Sequence, residues 1–221
     1  MKNLYGISLT MFIVCGQTHV NAENAAVGIK AGTLGLGVEI STPLPVADNL
    51  NGRFGFNYFQ YDRDDTLDGV DYDSDTTLNS FSALLDWHPL GNGFRLSSGL
   101  FYNNNDSRIE STTTGRVDIG GVPFVLGPNA KLKGELSFDS LAPYLGVGYG
   151  HHFDASKNLS LTMELGILFQ GEPEVDLNAE GALAQLPGIQ AAIQKEEDDI
   201  QADADDFTYF PVFSIGLTYR Y

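Results

Sequence analysis

From residue 94 onward the chain is written largely in twos. In 159–170, Leu159, Leu161, Met163, Leu165, Ile167 and Phe169 alternate with Ser160, Thr162, Glu164, Gly166 and Gln170. In 207–221, Phe207, Tyr209, Pro211, Phe213, Ile215, Leu217, Tyr219 and Tyr221 face away from Thr208, Ser214, Gly216, Thr218 and Arg220. The segments 94–103 and 141–153 follow the same rule, and 53–61 and 78–88 follow it less cleanly. Successive strand residues point to opposite faces, so each segment is a ribbon with one greasy side and one small or polar side.

A soluble sandwich alternates too, and three features separate it from a membrane barrel. The runs last 10 to 15 residues, beyond the ~5–6 of an ordinary soluble strand and enough for a tilted transmembrane strand of ~9–11. Aromatic residues (Trp87, Phe94, Tyr102, Phe153, Phe169, Tyr209, Tyr219, Tyr221) sit near the ends of the apolar faces, where membrane interfaces hold them. The opposite faces are Gly, Ser and Thr with isolated charges, which suits a crowded polar lumen. The pattern therefore predicts an all-β fold: a closed antiparallel up-and-down transmembrane β-barrel with long extracellular loops.

The N-terminus reads as an export signal. Met1-Lys2-Asn3 is a basic start, Leu4 to Cys15 is an apolar stretch, and Ala22 is a small residue placed for cleavage. Residues 1–22 are expected to be removed, leaving 23–221 as the barrel domain. Val14 is bulky where a lipoprotein signal before Cys15 would want a small residue. The leader takes the single Cys with it, so the mature chain carries no thiol into an oxidising compartment.

Seven strands are clear: 34–41, 50–61, 76–88, 94–103, 140–153, 158–170 and 207–221. Short connections (Pro43–Asn49, Pro89–Gly93, Asp154–Asn158) alternate with long ones (Asp62–Asp75, Asn104–Gly134, Gly171–Asp206). Short periplasmic turns and long extracellular loops are the asymmetry of such barrels. An even strand number needs an eighth. The apolar phase slips at Gly32-Thr33, and a tight turn there would pair Ala31 with Leu34, Ile29 with Leu36 and Val27 with Val38. That adds a strand from about Asn24 to Ala31; the rival is a bulge in one long strand.

Ala31-Gly32-Thr33-Leu34-Gly35-Leu36-Gly37, Asp86-Trp87-His88-Pro89, Phe94 to Leu100, Ala142 to Gly150 and the Pro211-to-Tyr221 strand resemble proteobacterial outer-membrane proteins. In build they are similar to the small OmpA/OmpW-like barrels, whose members are mostly uncharacterised. The resemblance implies the cell outer membrane of a Gram-negative bacterium and contact with its lipids and lipopolysaccharide. It also implies handling by the barrel-assembly machinery through the strand ending at Tyr221, and no agreed activity. No peptidoglycan-binding domain follows the last strand, which argues against a wall-anchor role. A monomer is expected.

Charge narrows the function classes. Twelve Lys and Arg stand against 29 Asp and Glu, a formal net charge of −17, which excludes a cationic nucleic-acid surface. Asp62–Asp75 holds seven Asp and one Arg, and Gly171–Asp206 holds eleven acidic residues and Lys195, so these two stretches carry most of the excess. Asp71, Asp73 and Asp75 have the opening spacing of a calcium loop, but Thr76 stands where its turn glycine belongs and Ser82 where its bidentate Glu belongs. Surface Ca2+ or Mg2+ is the only metal the sequence brings up, and no cofactor is expected. Arg108, Arg116, Lys131 and Lys133 are the middle-loop cations that could meet lipopolysaccharide phosphates. Ala182 to Ala204, interrupted by Pro187-Gly188, carries Ile189, Ile193 and Ile200 at helical spacing, and predicts a short helix over the barrel mouth.

Inward positions of the predicted strands carry Glu39, Arg53, Arg95, Glu164 and Arg220, with Asp86 near the rim. Charges in a lumen pair with one another because an isolated one is costly. They form a structural plug or a gate through which small solutes pass. His88, His151 and His152 all fall near periplasmic turns, away from where a lipid-modifying enzyme needs a His beside a nucleophile. The expected function is a non-enzymatic narrow conduit for small solutes; the rival is a surface structural or adhesion protein whose acidic loops bind cations, lipopolysaccharide or host matrix.

Overall fold

The computed structural model describes residues 25–67, 70–111, 115–127, 129–150 and 158–221, with backbone alone at 62–67, 70–72, 106, 111, 126 and 205–206. The export signal, its cleavage after Ala22, His151 and His152 lie outside the described residues. Among the described residues, thirteen strands follow in chain order: β1 (Ala26–Gly32), β2 (Gly35–Pro43), β3 (Leu50–Leu67), β4 (Val70–Trp87), β5 (Phe94–Asn103), β6 (Asp106–Ser111), β7 (Gly115–Ile119), β8 (Val122–Leu126), β9 (Ala130–Ser137), β10 (Leu141–Tyr149), β11 (Leu159–Phe169), β12 (Glu174–Gly181) and β13 (Tyr209–Arg220). A helix, α1 (Ile189–Ala204), lies between β12 and β13.

Eight strands close on themselves in the order β1-β2-β3-β4-β5-β10-β11-β13 and back to β1, every pair antiparallel. The eighth strand expected before Gly32 is present as β1. Its turn differs from the expected one: Gly32 lies opposite Gly35, Ala31 opposite Leu36 and Ile29 opposite Val38, so Thr33 and Leu34 are the turn residues. The register is shifted by two, which keeps every side chain on its face. Gly35 takes φ +90, and the turn frees Leu34 to point inward, 5% exposed. Thr33 closes the rim by donating from Oγ1 to the Pro211 carbonyl (3.0 Å) and accepting from the Phe213 N–H (3.1 Å). The Pro211 carbonyl therefore points where β1 has ended, so the missing N–H of that proline costs no ladder bond.

Burial runs inside out. Leu159, Leu161 and Leu165 are 57–58% exposed, whereas Thr162 and Glu164 on the same strand are 5% exposed. Only lipid makes an exposed greasy belt of this size stable. Trp87, Tyr149, Tyr219 and Tyr221 mark the end of the belt where β2 turns into β3 and β4 into β5, and Tyr58, Phe81, Tyr102 and Tyr209 the other.

The lumen is filled in two tiers. Residues that break the dyad pattern, Leu84, Phe101, Leu168 and Val212, turn inward with Leu34, Ala142 and Tyr144 to form an apolar plug toward the long-loop end, with Phe210 packed against it. Phe101 and Tyr144 meet with ring centroids 5.3 Å apart. The charged tier lies below.

Above the belt, the stretches expected to be loops are folded. β3 and β4 continue together to Leu67 and Val70, and the top of β4 pairs with β6, β6 with β9 and β9 with β12. One face of this sheet, with the β7–β8 hairpin, packs on α1 around Ile119, Phe124, Ala130, Leu183, Ile189, Ala192 and Ile193. The hairpin turns on Gly120 and Gly121, both at positive φ (60 and 78), as a two-residue hairpin turn requires. The helix starts after Pro187-Gly188 and buries Ile189 and Ile193 as expected, but Ile200 is 37% exposed. The result is a cap with its own hydrophobic core.

Candidate functional site

Dyad parity carries the charged tier. β1 and β2 bring Lys30 and Glu39 inward, β3 and β4 bring Arg53 and Asp86, and β5 and β11 bring Arg95 and Glu164. Arg53 is the hub. Its Nε and Nη2 donate to the two oxygens of Asp86 (2.8 and 3.0 Å), and its Nη1 reaches Glu39 (3.1 Å) and Glu164 (2.7 Å). Arg95 Nη2 donates to the same Glu164 oxygen at 2.7 Å, with its Nε 3.8 Å from Asp86. Lys30 Nζ lies 3.4 Å from Glu39. Tyr144 donates to Glu164 (2.6 Å) and Ser97 to Asp86 (2.6 Å).

Three cations thus face three carboxylates, each side chain at most 10% exposed. The balance matters because a charge left over in low dielectric would be costly. Small residues make the room. A Cβ at Gly166 or Gly146 would sit 2.3 or 2.4 Å from the Tyr144 hydroxyl, and one at Gly148 would sit 2.8 Å from Arg95 Nε.

Of the residues expected in this network, Glu39, Arg53, Arg95 and Glu164 meet, and Asp86 joins them. Arg220 does not sit beside them: it is half-buried on the last rung of β13, opposite Ala26, with its N–H on the Asn158 carbonyl. The sequence reading left out Lys30 and the Tyr144 hydroxyl, although the parity that placed Glu39 inward places Lys30 inward as well.

The calcium spacing has a different outcome. Asp71, Asp73 and Asp75 lie on the regular strand β4, opposite Thr66, Asp64 and Asp62. Alternate residues of an extended strand are about 6.7 Å apart on one face, so they do not wrap one ion as a loop does. Among the described residues no group of three or more His, Cys, Asp or Glu is arranged to hold a metal.

A second candidate is the outer face of the cap sheet, which continues the lipid-facing parity of Phe81 and Trp87. Register lines up Asp75, Arg108, Glu135 and Asp176 across four strands, and beside them Asp73, Glu110, Lys133 and Asn178. A groove of about 430 Å3 runs along this face. Arg108 pairs with Glu135 (3.1 Å), Lys133 with Glu180 (3.0 Å) and Glu110 (3.7 Å), and Lys131 with Glu110. The hydrogen bond from Lys131 holds the Glu110 carboxyl below its usual range, and the bond to Glu180 raises the Lys133 ammonium.

α1 covers the β12 edge. Glu197 accepts the Leu177 N–H (2.7 Å) and Gln201 that of Val175 (3.3 Å), while Gln201 donates to the Pro173 carbonyl (2.7 Å). Glu196 and Lys195 clasp the N–H and carbonyl of Gly120 (2.7 and 3.0 Å).

No known protein family matches the sequence, and no curated protein does. Solved structures do match. The chain overlays CarO of Acinetobacter baumannii with a TM-score of 0.58 and 22% identity, covering 90% of this chain and 98% of that one. CarO2 of the same organism gives a TM-score of 0.60 and 23% identity over the same shares. A major outer membrane protein of Thermus thermophilus matches more loosely, at a TM-score of 0.43 and 15% identity, covering 89% of this chain and 99% of that one. The chain therefore shares its overall fold with the two CarO structures; in this chain it is a closed barrel of eight antiparallel strands with a helix in a late connection.

Proposed function

We propose that this protein is an integral barrel of the Gram-negative outer membrane that works at the cell surface through its folded cap, with the barrel as a sealed anchor. The observation that carries the reading is the filled lumen. Phe101, Tyr144 and Leu168 are at most 1% exposed above an ion cluster at most 10% exposed. Eight strands enclose a space that side chains can fill, and here they fill it. The part with free surface and its own core is the cap. In this reading the end that carries Trp87, Tyr149 and Tyr219 faces the periplasm, and the end that carries the cap and the two-residue β1–β2 turn faces outward. The protein acts as a monomer without catalysis, the charged face of the cap lies beside lipopolysaccharide, and the assembly machinery takes hold of the strand ending at Tyr221.

Purified protein in planar bilayers tests it. No conductance steps are expected, and liposomes carrying it should not swell in small solutes; discrete wild-type steps would overturn the sealed anchor.

A second reading, a narrow conduit, draws on one observation. The lower tier is ionic where an apolar plug would have sealed as well, and Arg53 and Arg95 share one Glu164 oxygen at 2.7 Å, a partner either could release. If this is the working state of a gate, Glu164→Gln should produce steps where the wild type has none; silence in both removes it.

A further inference from the structure

The lipid-facing wall of the barrel is not smooth. Two neighbouring rungs cross β5, β10, β11 and β13: Phe94, Tyr149, Met163 and Ile215 on the first, Leu96, Val147, Leu165 and Phe213 on the second. Phe94 and Phe213 stand at opposite corners, and between them lies a groove of about 240 Å3. Val147 and Met163 form its floor. Val147 is 43% exposed against 57% for Leu145 on the same strand, and Met163 46% against 57% for Leu161. The groove reaches the end of the belt at Tyr149. That ring leans on the β4–β5 turn, where a Cβ at Gly93 would sit 3.3 Å from its Cζ.

The surroundings restrict what can occupy it. The hydrocarbon region offers no water to fill a dent, and side chains facing a gap forfeit dispersion contacts. Phe94, Val147, Met163, Leu165 and Phe213 carry no hydrogen-bond donor, so a polar ligand finds nothing to hold it there. The volume is below the ~300–1,000 Å3 of a pocket that engulfs a small molecule; it takes one chain and leaves the rest of the molecule outside. A second barrel would bring a convex wall, which bridges such a slot without filling it. The groove is continuous with the lipid-facing belt, so the chain that reaches it is a lipid's, and Met163 is flexible enough to close on it.

We infer that this groove seats one acyl chain of a phospholipid, with the head group at the Tyr149 rim. Phe94 and Phe213 are the walls of the seat, and Val147 and Met163 its floor. The choice of phospholipid rests on the orientation proposed above, in which this rim is periplasmic and away from lipopolysaccharide.

The test is native mass spectrometry of the whole protein, stripped of lipid in mild detergent and titrated with palmitoyl-oleoyl phosphatidylethanolamine. Binding should saturate at one lipid per barrel. Val147→Trp and Met163→Trp should each lower the bound fraction about tenfold or more, because the indole fills the floor. Leu145→Trp, outside the groove, should bind as the wild type does, and all three should keep the heat-dependent gel shift of the folded barrel. No retained lipid, retention unchanged by both floor variants, preference for lipid A over the phospholipid, or a dimer that the floor variants abolish would each overturn the proposal. The readout is independent of bilayer conductance, so failure here and failure of the sealed anchor are told apart.

Discussion

Arg53 makes contact with every carboxylate of the lumen cluster, at 2.7–3.1 Å, so its loss is not a local event. Arg53→Ala leaves Glu39, Asp86 and Glu164 facing Lys30 and Arg95 alone. Breaking a buried pair from one side typically costs about 3–5 kcal/mol, and the unfolding midpoint of the barrel in detergent should fall accordingly. The pair Arg53→Met/Asp86→Leu removes a charge of each sign and should cost less than the two single changes combined, which a double-mutant cycle reads directly. The cap has a different sensitivity. Glu110 is held below its ordinary range, so its contribution is full above that range and fades as pH falls through the lowered value. Lys133 is raised, so its share is full below the ordinary ammonium range and fades as pH rises through the raised value. Cap resistance to proteolysis should therefore be flat through neutral pH and drop at both extremes, with added salt narrowing the difference.

At the scale of elements, α1 is tied to the cap by one apolar stripe and a set of side-chain-to-backbone bonds. Ile193 is 5% exposed in the cap core. Ile193→Ala should cost the cap about 2–5 kcal/mol and loosen Glu197 and Gln201 from β12 together. Hydrogen exchange at the Val175 and Leu177 amides is the direct readout: it should speed up while the β1–β13 ladder is unchanged. The same scale shows what the sequence made legible. Strand β5 falls on 94–103 as expected, whereas of the helix expected over Ala182–Ala204 only the part beyond the Pro187-Gly188 interruption is α-helical. The connections were harder, because their strands have no lipid-facing side. β9 alternates Lys131 and Lys133 with Leu132, a pattern set by a small apolar core on one face and water on the other, and it is invisible to a search for greasy ribbons. Gly120-Gly121, flanked by Ile119 and Val122, was the local signal for the β7–β8 hairpin.

For the whole molecule, the division follows from how far each interaction reaches. Period-two alternation is local, and lipid rewards it strand by strand. The sequence alone therefore determined the barrel, the inward side of each strand, and the residue set from which Glu39, Arg53, Asp86, Arg95 and Glu164 are drawn. Facing inward does not say who meets whom. Strands β1 and β13 are adjacent only because the sheet closes, and closure brings six charges from six strands into one balanced cluster while leaving Arg220 at the rim. Closure also turned Leu84, Phe101, Leu168 and Val212, defects in the alternation when read along the chain, into the plug that fills the lumen. The cap was decided the same way: β4, β6, β9 and β12 are neighbours in space across long stretches of chain, and their pairing, not their local pattern, placed the β12 edge under α1.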